Sequence, residues 1–531
     1  MSSKNLVHYT WPLFFLLAFS LVNCSTTSQK EPATETAQPE PIEIRQEFQP
    51  PEEAPPHTET QDAQAPEITN PEEVLHERFE QVPEPSQQEA HPDNKPPSPY
   101  WAVRAGYKHT DYSTGLVIDA QGDIVITGGF EKLTKFGNTT LTAKGSYDLF
   151  VAKLNPKGQW LWVVRAGGVD SGCSSDSVST DSHGNIIIAG TFSNQVNFGN
   201  TTLSASKKEL SAFVAKLDSS GQWLWAQKAS GANGSIEGKA VQVDKSDNIF
   251  VIGHFSETVN FGKLSLTSVG QRNAFVAKLD KSGQWLWAKR AGSKNSSGEV
   301  IAADTKGNCV IGGWFIGAAD FGTTKLKSKD DTQDLFIAKL DTAGQWLWVK
   351  QIKTTESEIR DMVIDKQDNI IVTGDFLSGL DVGKLGLSQG DLFVLKLDSN
   401  GNGLWISAAS SNRTHEYKKS GVSTTTVDQQ GNIAIAGTIR NQAFFGKTKL
   451  NSVGLYSIFV AKLDNKGEWL WATRPNKYSN AARGIIADVK GNIIVTGTFS
   501  VMGDFGGTIL KSSGAYDRDI FVWKLPPQLQ K

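Results

Sequence analysis

The sequence predicts an all-β fold made of seven copies of one unit, and three observations support this. A block of about 60 residues recurs between positions 100 and 531. The apolar runs within each block are short and rich in β-branched residues, which is typical of strands. Each block holds four such runs, separated by turn signals. This pattern predicts a seven-bladed β-propeller of four-stranded blades, because radial closure leaves no exposed sheet edges.

Two motifs mark each unit, whose strands we label A to D in chain order. Gln-Trp-Leu-Trp opens strand D, as at Gln159 to Trp162. An Asp-x-x-Gly-Asn motif links strands A and B. In the second unit we predict that strand A ends at Asp181 and that strands B, C and D cover 185–192, 213–217 and 223–228. The motif aspartates recur at spacings of 60 to 63 residues, at Asp119, Asp181, Asp244, Asp304, Asp365, Asp428 and Asp488.

The two ends of the repeat region predict how the ring closes. The region begins with a D-like strand, Trp101 to Arg104, that has no A, B or C before it. It finishes with a C-like strand, Phe521 to Leu525, that has no D after it. These two parts complete one blade, so we expect the N-terminal strand to close the ring as its outermost strand.

The first 99 residues predict a targeting segment followed by a spacer. Residues 1–23 read as a signal peptide, with Lys4 before an apolar run too short to span a bilayer. Leu21-Val22-Asn23-Cys24 resembles the lipobox of bacterial lipoproteins, which implies lipidation of Cys24; an ordinary signal peptide is the alternative. Residues 24–99 contain 15 of the 20 prolines and, with 17 acidic and 4 basic residues, predict a disordered linker.

Composition excludes several classes of function for the body, residues 100–531. Its 48 basic and 39 acidic residues are too evenly mixed for a nucleic-acid binder. Two cysteines, Cys173 and Cys309, exclude a disulfide scaffold, and we predict that both are free thiols. No nucleophile motif, phosphate loop or metal-ligand spacing of histidines occurs. We therefore expect no catalytic residue, metal or cofactor. We also expect the protein to be a monomer.

Residues 491–497, Gly-Asn-Ile-Ile-Val-Thr-Gly, and residues 213–218, Phe-Val-Ala-Lys-Leu-Asp, resemble the bacterial β-propeller repeat family called SBBP. The resemblance covers about four fifths of the chain. It implies the propeller fold and a surface or envelope setting, and it implies no reaction.

Polar residues that recur in every unit are predicted to be structural. We expect the motif aspartates to cap their turns rather than bind calcium, and the tryptophans to pack between blades. Each strand C carries a lysine that is expected to cover a tryptophan or pair with an acid: Lys153, Lys216, Lys278, Lys339, Lys396, Lys462 and Lys524.

Binding is predicted on the face that carries the variable B-to-C and D-to-A connections. One position in strand B, which is threonine in three blades, becomes His254, Trp314 and Asp375 in blades 3, 4 and 5. These three residues are expected to line a pocket, with drift between repeats as the alternative. Strand D ends in a base in five blades, which predicts a basic arc or simply a solvated rim: Arg104, Arg165, Lys228, Arg290 and Arg474.

Two functions remain open from the sequence. The first is a non-enzymatic lipoprotein, anchored by lipid in the cell envelope and expected at the outer membrane, whose propeller binds a protein or a glycan. It would meet the membrane only through its lipid, and it would be secreted if Cys24 is not lipidated. The second is a propeller hydrolase, lyase or quinone-type enzyme built around His254, Trp314 and Asp375.

Overall fold

The computed structural model describes residues 100–205, 209–231, 233–329, 332–410, 420–476, 481–514 and 517–529. Within them, seven four-stranded antiparallel blades form a β-propeller. The expected signal peptide, Cys24 and the linker lie outside the described residues. Within these ranges, no helical segment has the length and hydropathy of a membrane span.

Each blade runs from an inner strand A to an outer strand D. The A strands are β2 (Asp111–Ile118), β8 (Cys173–Thr180), β14 (Ile236–Val243), β20 (Asn295–Ala303), the second half of β25 (Trp346–Ile364), β30 (Gly421–Val427) and β36 (Ala481–Ala487). The B strands are β3 (Ile124–Phe130), β9 (Ile186–Phe192), β15 (Ile249–Phe255), β21 (Cys309–Ile316), β26 (Ile370–Val382), β31 (Ile433–Ile439) and β37 (Ile493–Phe499).

The C strands are β6 (Asp148–Leu154), β12 (Ser211–Leu217), β18 (Asn273–Leu279), β24 (Gln333–Leu340), β28 (Leu392–Leu397), β34 (Ser457–Leu463) and β40 (Asp519–Leu525). The D strands are β7 (Trp160–Ala166), β13 (Trp223–Ser230), β19 (Trp285–Ala291), the first half of β25, β29 (Gly403–Ala409), β35 (Trp469–Thr473) and, for blade 7, β1 (Trp101–Ala105). The predicted strands of the second unit are confirmed to within a few residues.

The ring closes as predicted. Every A strand contacts the A strands of both neighbouring blades, including β2 against β36. Strand β1 pairs antiparallel with β40 over five residues, from Trp101 opposite Lys524 to Ala105 opposite Ile520. The N-terminal strand therefore completes blade 7 as its outermost strand.

The B-to-C link contains a short hairpin that the sequence reading missed. Each hairpin also bonds to the end of strand D in the preceding blade, as Ala105 of β1 pairs with Phe136. The hairpins are β4 (Leu133–Phe136) with β5 (Thr139–Thr142), β10 (Gln195–Phe198) with β11 (Thr201–Ser204), β16 (Thr258–Phe261) with β17 (Leu264–Thr267), β22 (Ala318–Phe321) with β23 (Thr324–Lys327), the end of β26 with β27 (Leu385–Gln389), β32 (Gln442–Phe445) with β33 (Thr448–Asn451), and β38 (Met502–Phe505) with β39 (Thr508–Lys511).

The face that carries the A-to-B and C-to-D turns, called here the turn face, is held by one repeated ion pair. In all seven blades the lysine of strand C lies 2.6–3.5 Å from the motif aspartate of its own blade. The other carboxylate oxygen accepts two backbone N–H groups of the turn, as Asp304 does from Lys306 and Asn308. The predicted capping and pairing roles are confirmed.

The same lysines connect neighbouring blades. Nζ of Lys339 also donates to the carbonyl of Ser399 in the C-to-D turn of the next blade, and Nε1 of Trp348 donates to that same oxygen. Trp346, two residues earlier, instead packs edge-on against Phe321 of its own hairpin, at 5.2 Å between ring centroids. A β-bulge at the intervening Leu347 allows the two indoles to serve different neighbours. The predicted packing role of the tryptophans is confirmed.

The cysteine prediction is also confirmed. Cys173 opens strand A of blade 2 and Cys309 opens strand B of blade 4, and both are free and buried.

We predict that Lys339→Met lowers the free energy of unfolding by about 3–5 kcal/mol, because it leaves the buried Asp304 without its counter-charge. The two side chains are only 7% and 2% exposed. Equilibrium denaturation in urea would measure the change.

The matched control is Lys325→Met in the same blade, whose pair with Asp320 is 67% and 46% exposed. It should cost at most about 1 kcal/mol. Equal losses in the two variants would contradict a structural role for the buried pair.

A pair of buried carboxyl groups lies where blade 1 meets blade 7. Asp111 opens β2, Asp519 opens β40, and neither is exposed. A Cβ on Gly106 would lie 2.6 Å from Oδ1 of Asp519 and 3.0 Å from Oδ2 of Asp111, so the two groups converge. Burial raises the pKa of Asp111 to about 8, and the charge of Asp519 adds to the shift. Burial raises the pKa of Asp519 only to about 6, so at neutral pH Asp111 keeps its proton and Asp519 carries a negative charge, which Arg104 meets at 3.2 Å.

We predict that this junction makes stability depend on pH. The folded pKa of Asp111 lies above its ordinary value of 3.8. Its proton therefore stabilises the fold at low pH, and that contribution is lost as the pH rises towards 8. The isosteric Asp111→Asn should gain stability relative to the natural chain, by up to about 1.4 kcal/mol per pH unit between pH 6 and 8. Denaturation curves at several pH values test this, and parallel profiles for the two proteins would refute it.

Candidate functional site

The central channel is lined by one residue from each A strand. Every A strand carries a β-bulge at the same register position. The extra residue stands five positions before the motif aspartate. The seven bulged residues are Thr114, Asp176, Lys239, Glu299, Arg360, Ser423 and Arg483.

A glycine in strand B makes each bulge possible. A Cβ on Gly253 would lie 1.9 Å from the carbonyl oxygen of Glu237, and the aligned glycines of the other blades have the same contact at 1.9–2.1 Å. Any side chain there would push the inner strand away. The repeated glycine therefore fixes the bulge, and the bulge directs one variable side chain towards the axis.

Charges from different blades meet in this channel. The carboxylates of Glu237 and Glu299 act on Asp176, and Lys239 opposes them. Burial is the main cause that raises the pKa of Asp176 to about 7; the two glutamates add to this shift and Lys239 opposes it. Arg483 of blade 7 is acted on by Arg360 of blade 5, although blade 6 stands between them. The bulged residues therefore share one space.

His254 lies on strand B of blade 3 and is 9% exposed. Its Nε2 is 3.4 Å from Oε1 of Glu237 on the adjacent strand A. Its Nδ1 is 3.0 Å from Oγ of Ser297 in blade 4. The hydrogen bond from His254 holds the pKa of Glu237 well below its usual range, and the charge of Lys239 reinforces this.

Trp314 lies at the aligned position of blade 4 and is partly exposed. Its Nε1 donates to Oε1 of the bulged Glu299 at 3.1 Å. The guanidinium of Arg272 stacks over its ring, 4.8 Å from the centroid. One face of the indole is thus covered by a cation.

Asp375 completes the series in blade 5. Its Oδ2 accepts from Nε of Arg360 at 2.8 Å, and its Oδ1 accepts from the backbone N–H of Val422 in blade 6 at 2.9 Å. Burial raises the pKa of Asp375 to about 6, although Arg360 opposes the shift. Arg360 also pairs with Glu358 at 2.5 Å.

The three residues singled out from the sequence therefore lie at corresponding places on blades 3 to 5, and each contacts a polar strand A residue. The sequence analysis missed these partners, of which Glu299 and Arg360 are bulged residues and Glu237 stands two positions before the bulged Lys239. Aligning the repeats on the motif aspartate would have found the bulged residues, because the position five residues earlier is polar in every blade while its neighbours are mostly small or apolar.

Four of the five bases at the ends of the D strands hold their own blades together, and Arg474 bonds only to the residue that follows it. Arg104 and Arg165 form ion pairs with the buried Asp519 and Asp148. Lys228 and Arg290 donate to carbonyls at the end of the hairpin of their own blade, and Arg474 donates to the carbonyl of Pro475. Gln351, which replaces a base in blade 4, makes the same contacts with Asp334 and the carbonyl of Lys327. Binding by these bases stays a prediction, since each already has a structural partner.

One group among the described residues has atoms spaced for a metal: Asp181, His183 and Asp247, within 4.8 Å of one another. Asp181 already pairs with Lys216 at 2.8 Å, and Asp247 accepts from the hydroxyl of Ser182. These contacts join the turns of blades 2 and 3, and we assign no metal to the group.

The channel can bind polar groups through fixed donors and acceptors. Ser297, His254 and Glu237 stand in the order of a nucleophile, a base and an orienting acid. Ser297 is only 1% exposed, so a substrate does not reach its hydroxyl in this conformation. In this conformation the three groups form a hydrogen-bonded part of the channel wall.

No family model matches the chain. An uncharacterised WD repeat-containing protein of Acanthamoeba polyphaga mimivirus is 31% identical in an alignment of 163 residues that covers 28% of this chain and 12% of that protein. The chain thus spans about an eighth of the length of this curated relative.

Among solved structures, a gluconolactonase from Xanthomonas campestris has a TM-score of 0.31 at 12% identity, covering 62% of this chain and 84% of that one. An ulvan lyase has a TM-score of 0.38 at 13% identity, covering 78% and 97%. Likenesses at this level carry no conclusion about activity. The seven-bladed ring and the WD repeat-containing relative identify the chain as a β-propeller repeat protein.

Proposed function

We propose that the protein is a non-enzymatic lipoprotein of the cell envelope whose propeller binds a protein or a glycan. Binding would use the channel mouth on the face opposite the turn face, called here the loop face, which carries the hairpins and the D-to-A connections. The observation that best supports this proposal is the continuous polar lining of the channel in blades 3 to 5. There Glu237, Glu299 and Arg360 present fixed hydrogen-bonding groups around His254, Trp314 and Asp375.

The paired state of these groups favours binding over catalysis. A general base or nucleophile needs an accessible atom with a pKa suited to its task. Here His254 lies between Glu237 and Ser297, and Asp375 lies between Arg360 and the backbone of blade 6. Such locked side chains suit recognition, because little conformational entropy is lost when a ligand binds.

The envelope setting is proposed from the sequence. It is supported by the apolar run before Cys24, by the resemblance to SBBP repeats and by the proline-rich segment that separates Cys24 from the ring. A long solvated spacer of this composition would let the propeller reach partners beyond the lipid surface.

We predict that Cys24→Ser abolishes membrane attachment, since the thiol that would carry the lipid is lost. The natural chain, expressed with its leader in a bacterial host, should incorporate labelled palmitate and fractionate with membranes until detergent is added. The variant should be unlabelled and soluble. An unlabelled, soluble natural chain would rule out the lipoprotein assignment.

We predict that the variant His254→Ala, Trp314→Ala, Asp375→Ala loses an envelope partner that the natural protein captures by cross-linking. The control replaces Lys157, Lys281 and Lys466 with alanine, which are exposed on the turn face. It should keep the partner, and circular dichroism would verify that both variants fold. Capture that is equal in all three proteins would place binding elsewhere.

A serine hydrolase would use a different set, Ser297, His254 and Glu237, instead of the predicted His254, Trp314 and Asp375, and it has a separate test. We expect no covalent labelling of the native protein by a fluorophosphonate probe, because Ser297 is buried. Labelling that disappears in Ser297→Ala would overturn the non-enzymatic proposal and make the protein a serine hydrolase.

A further inference from the structure

The channel has a filled half and an open half. In blades 3 to 5 the long side chains described above occupy the wall. In blades 6, 7 and 1 the corresponding positions are small, apart from Tyr112 and Arg483. These small residues are Gly421, Ser423 and Thr438 in blade 6, Ala481 and Thr498 in blade 7, and Thr114 and Gly129 in blade 1.

Arg483 stands in the middle of this open half. It is the bulged residue of β36 and is exposed, whereas its neighbours Ala482 and Gly484 are buried. Because β36 is the innermost strand of its blade, the solvent that reaches Arg483 is that of the channel. The flanking bulged residues, Ser423 and Thr114, are short and leave room beside its guanidinium.

Arg483 also lacks a counter-charge. It makes no hydrogen bond or ion pair with any residue in the described ranges, unlike Arg360, which has two carboxylates. The permanent charges that act on it are those of Arg360 and Arg518, which repel it, and Tyr112 of blade 1 acts in the opposite direction. Arg518 is exposed and precedes Asp519, the first residue of β40.

We propose that Arg483 anchors a binding site for a carboxylate-bearing small ligand in the open half of the channel. The planar guanidinium would take the carboxylate through two parallel hydrogen bonds. Hydroxyl groups of Ser423 and Thr114 stand on either side to meet its polar substituents. The ligand would supply the negative charge that Arg483 lacks.

The inference deepens the proposed function and rests on it, because it names a ligand class for the same channel. The test uses D-glucuronate, succinate, citrate and acetate as probes. D-glucose serves as the neutral counterpart of glucuronate, since the two differ only in whether C6 is a carboxylate or a hydroxymethyl group. Calorimetry and thermal unfolding of the full chain would measure binding.

We expect at least one carboxylate to bind the natural protein and raise its unfolding temperature, and glucose to have no effect. Arg483→Gln should weaken that binding at least about tenfold, since a charged hydrogen-bonding partner is lost. Arg483→Lys keeps the positive charge but loses the planar pair of donors, so its affinity should lie between those of the natural protein and Arg483→Gln. Lys157→Gln removes one positive charge from the exposed turn face and should bind like the natural protein.

Two outcomes would overturn the inference: no carboxylate binds the natural protein, or Arg483→Gln binds as tightly as the natural protein. Neither outcome depends on the capture of an envelope partner. A failed cross-linking experiment with intact carboxylate binding would instead remove the macromolecular partner and leave the small-ligand site.

Discussion

The ring depends on the buried pair between the strand C lysine and the motif aspartate. One carboxylate oxygen of that aspartate fixes the A-to-B turn, and the other holds the lysine of strand C in the same blade. The lysine then reaches the C-to-D turn of the next blade, where a tryptophan shares the same carbonyl oxygen. Turn, sheet and blade interface are thus joined through two side chains. Repeating this joint gives each pair of blades nearly the same geometry, which closure into a ring requires.

The sequence predicts the scaffold well because the scaffold repeats. Seven copies of the motif aspartate and of the strand C lysine indicate the number of blades. The unmatched strands at the two ends indicate how the ring closes. The hairpins escaped prediction because their strands are mostly four residues long and only the Phe-Gly mark is shared. The rim bases show another limit. The sequence gives the charge of Arg165, but only the fold shows that buried Asp148 already neutralises it.

For a related reason, only some of the residues that line the channel could be identified from the sequence. His254, Trp314 and Asp375 are conspicuous because they interrupt a run of threonines. Arg483 is inconspicuous because its position differs in almost every blade and because a β-bulge, which depends on a glycine of the adjacent strand, decides where it points. A binding scaffold requires side chains that can vary on a backbone that stays the same. The repeated β-bulge provides this, since the channel lining can change without disturbing the contacts between blades.

The closing strand also gives the ring a mechanical weak point. The chain that precedes Trp101 enters the propeller through β1, the outermost strand of blade 7, which is held by a five-residue pairing with β40 and by the contacts of Arg104 with Asp519 and the carbonyl of Lys511. A pull on the N-terminal segment loads these bonds first, together with the two bonds that join β1 to blade 1, from Trp101 Nε1 to the carbonyl of Pro156 and between Ala105 and Phe136. The seam between the two ends of the repeat is therefore where tension from an anchored N-terminus would first open the propeller, and blades 2 to 6 would bear that load only after β1 had separated.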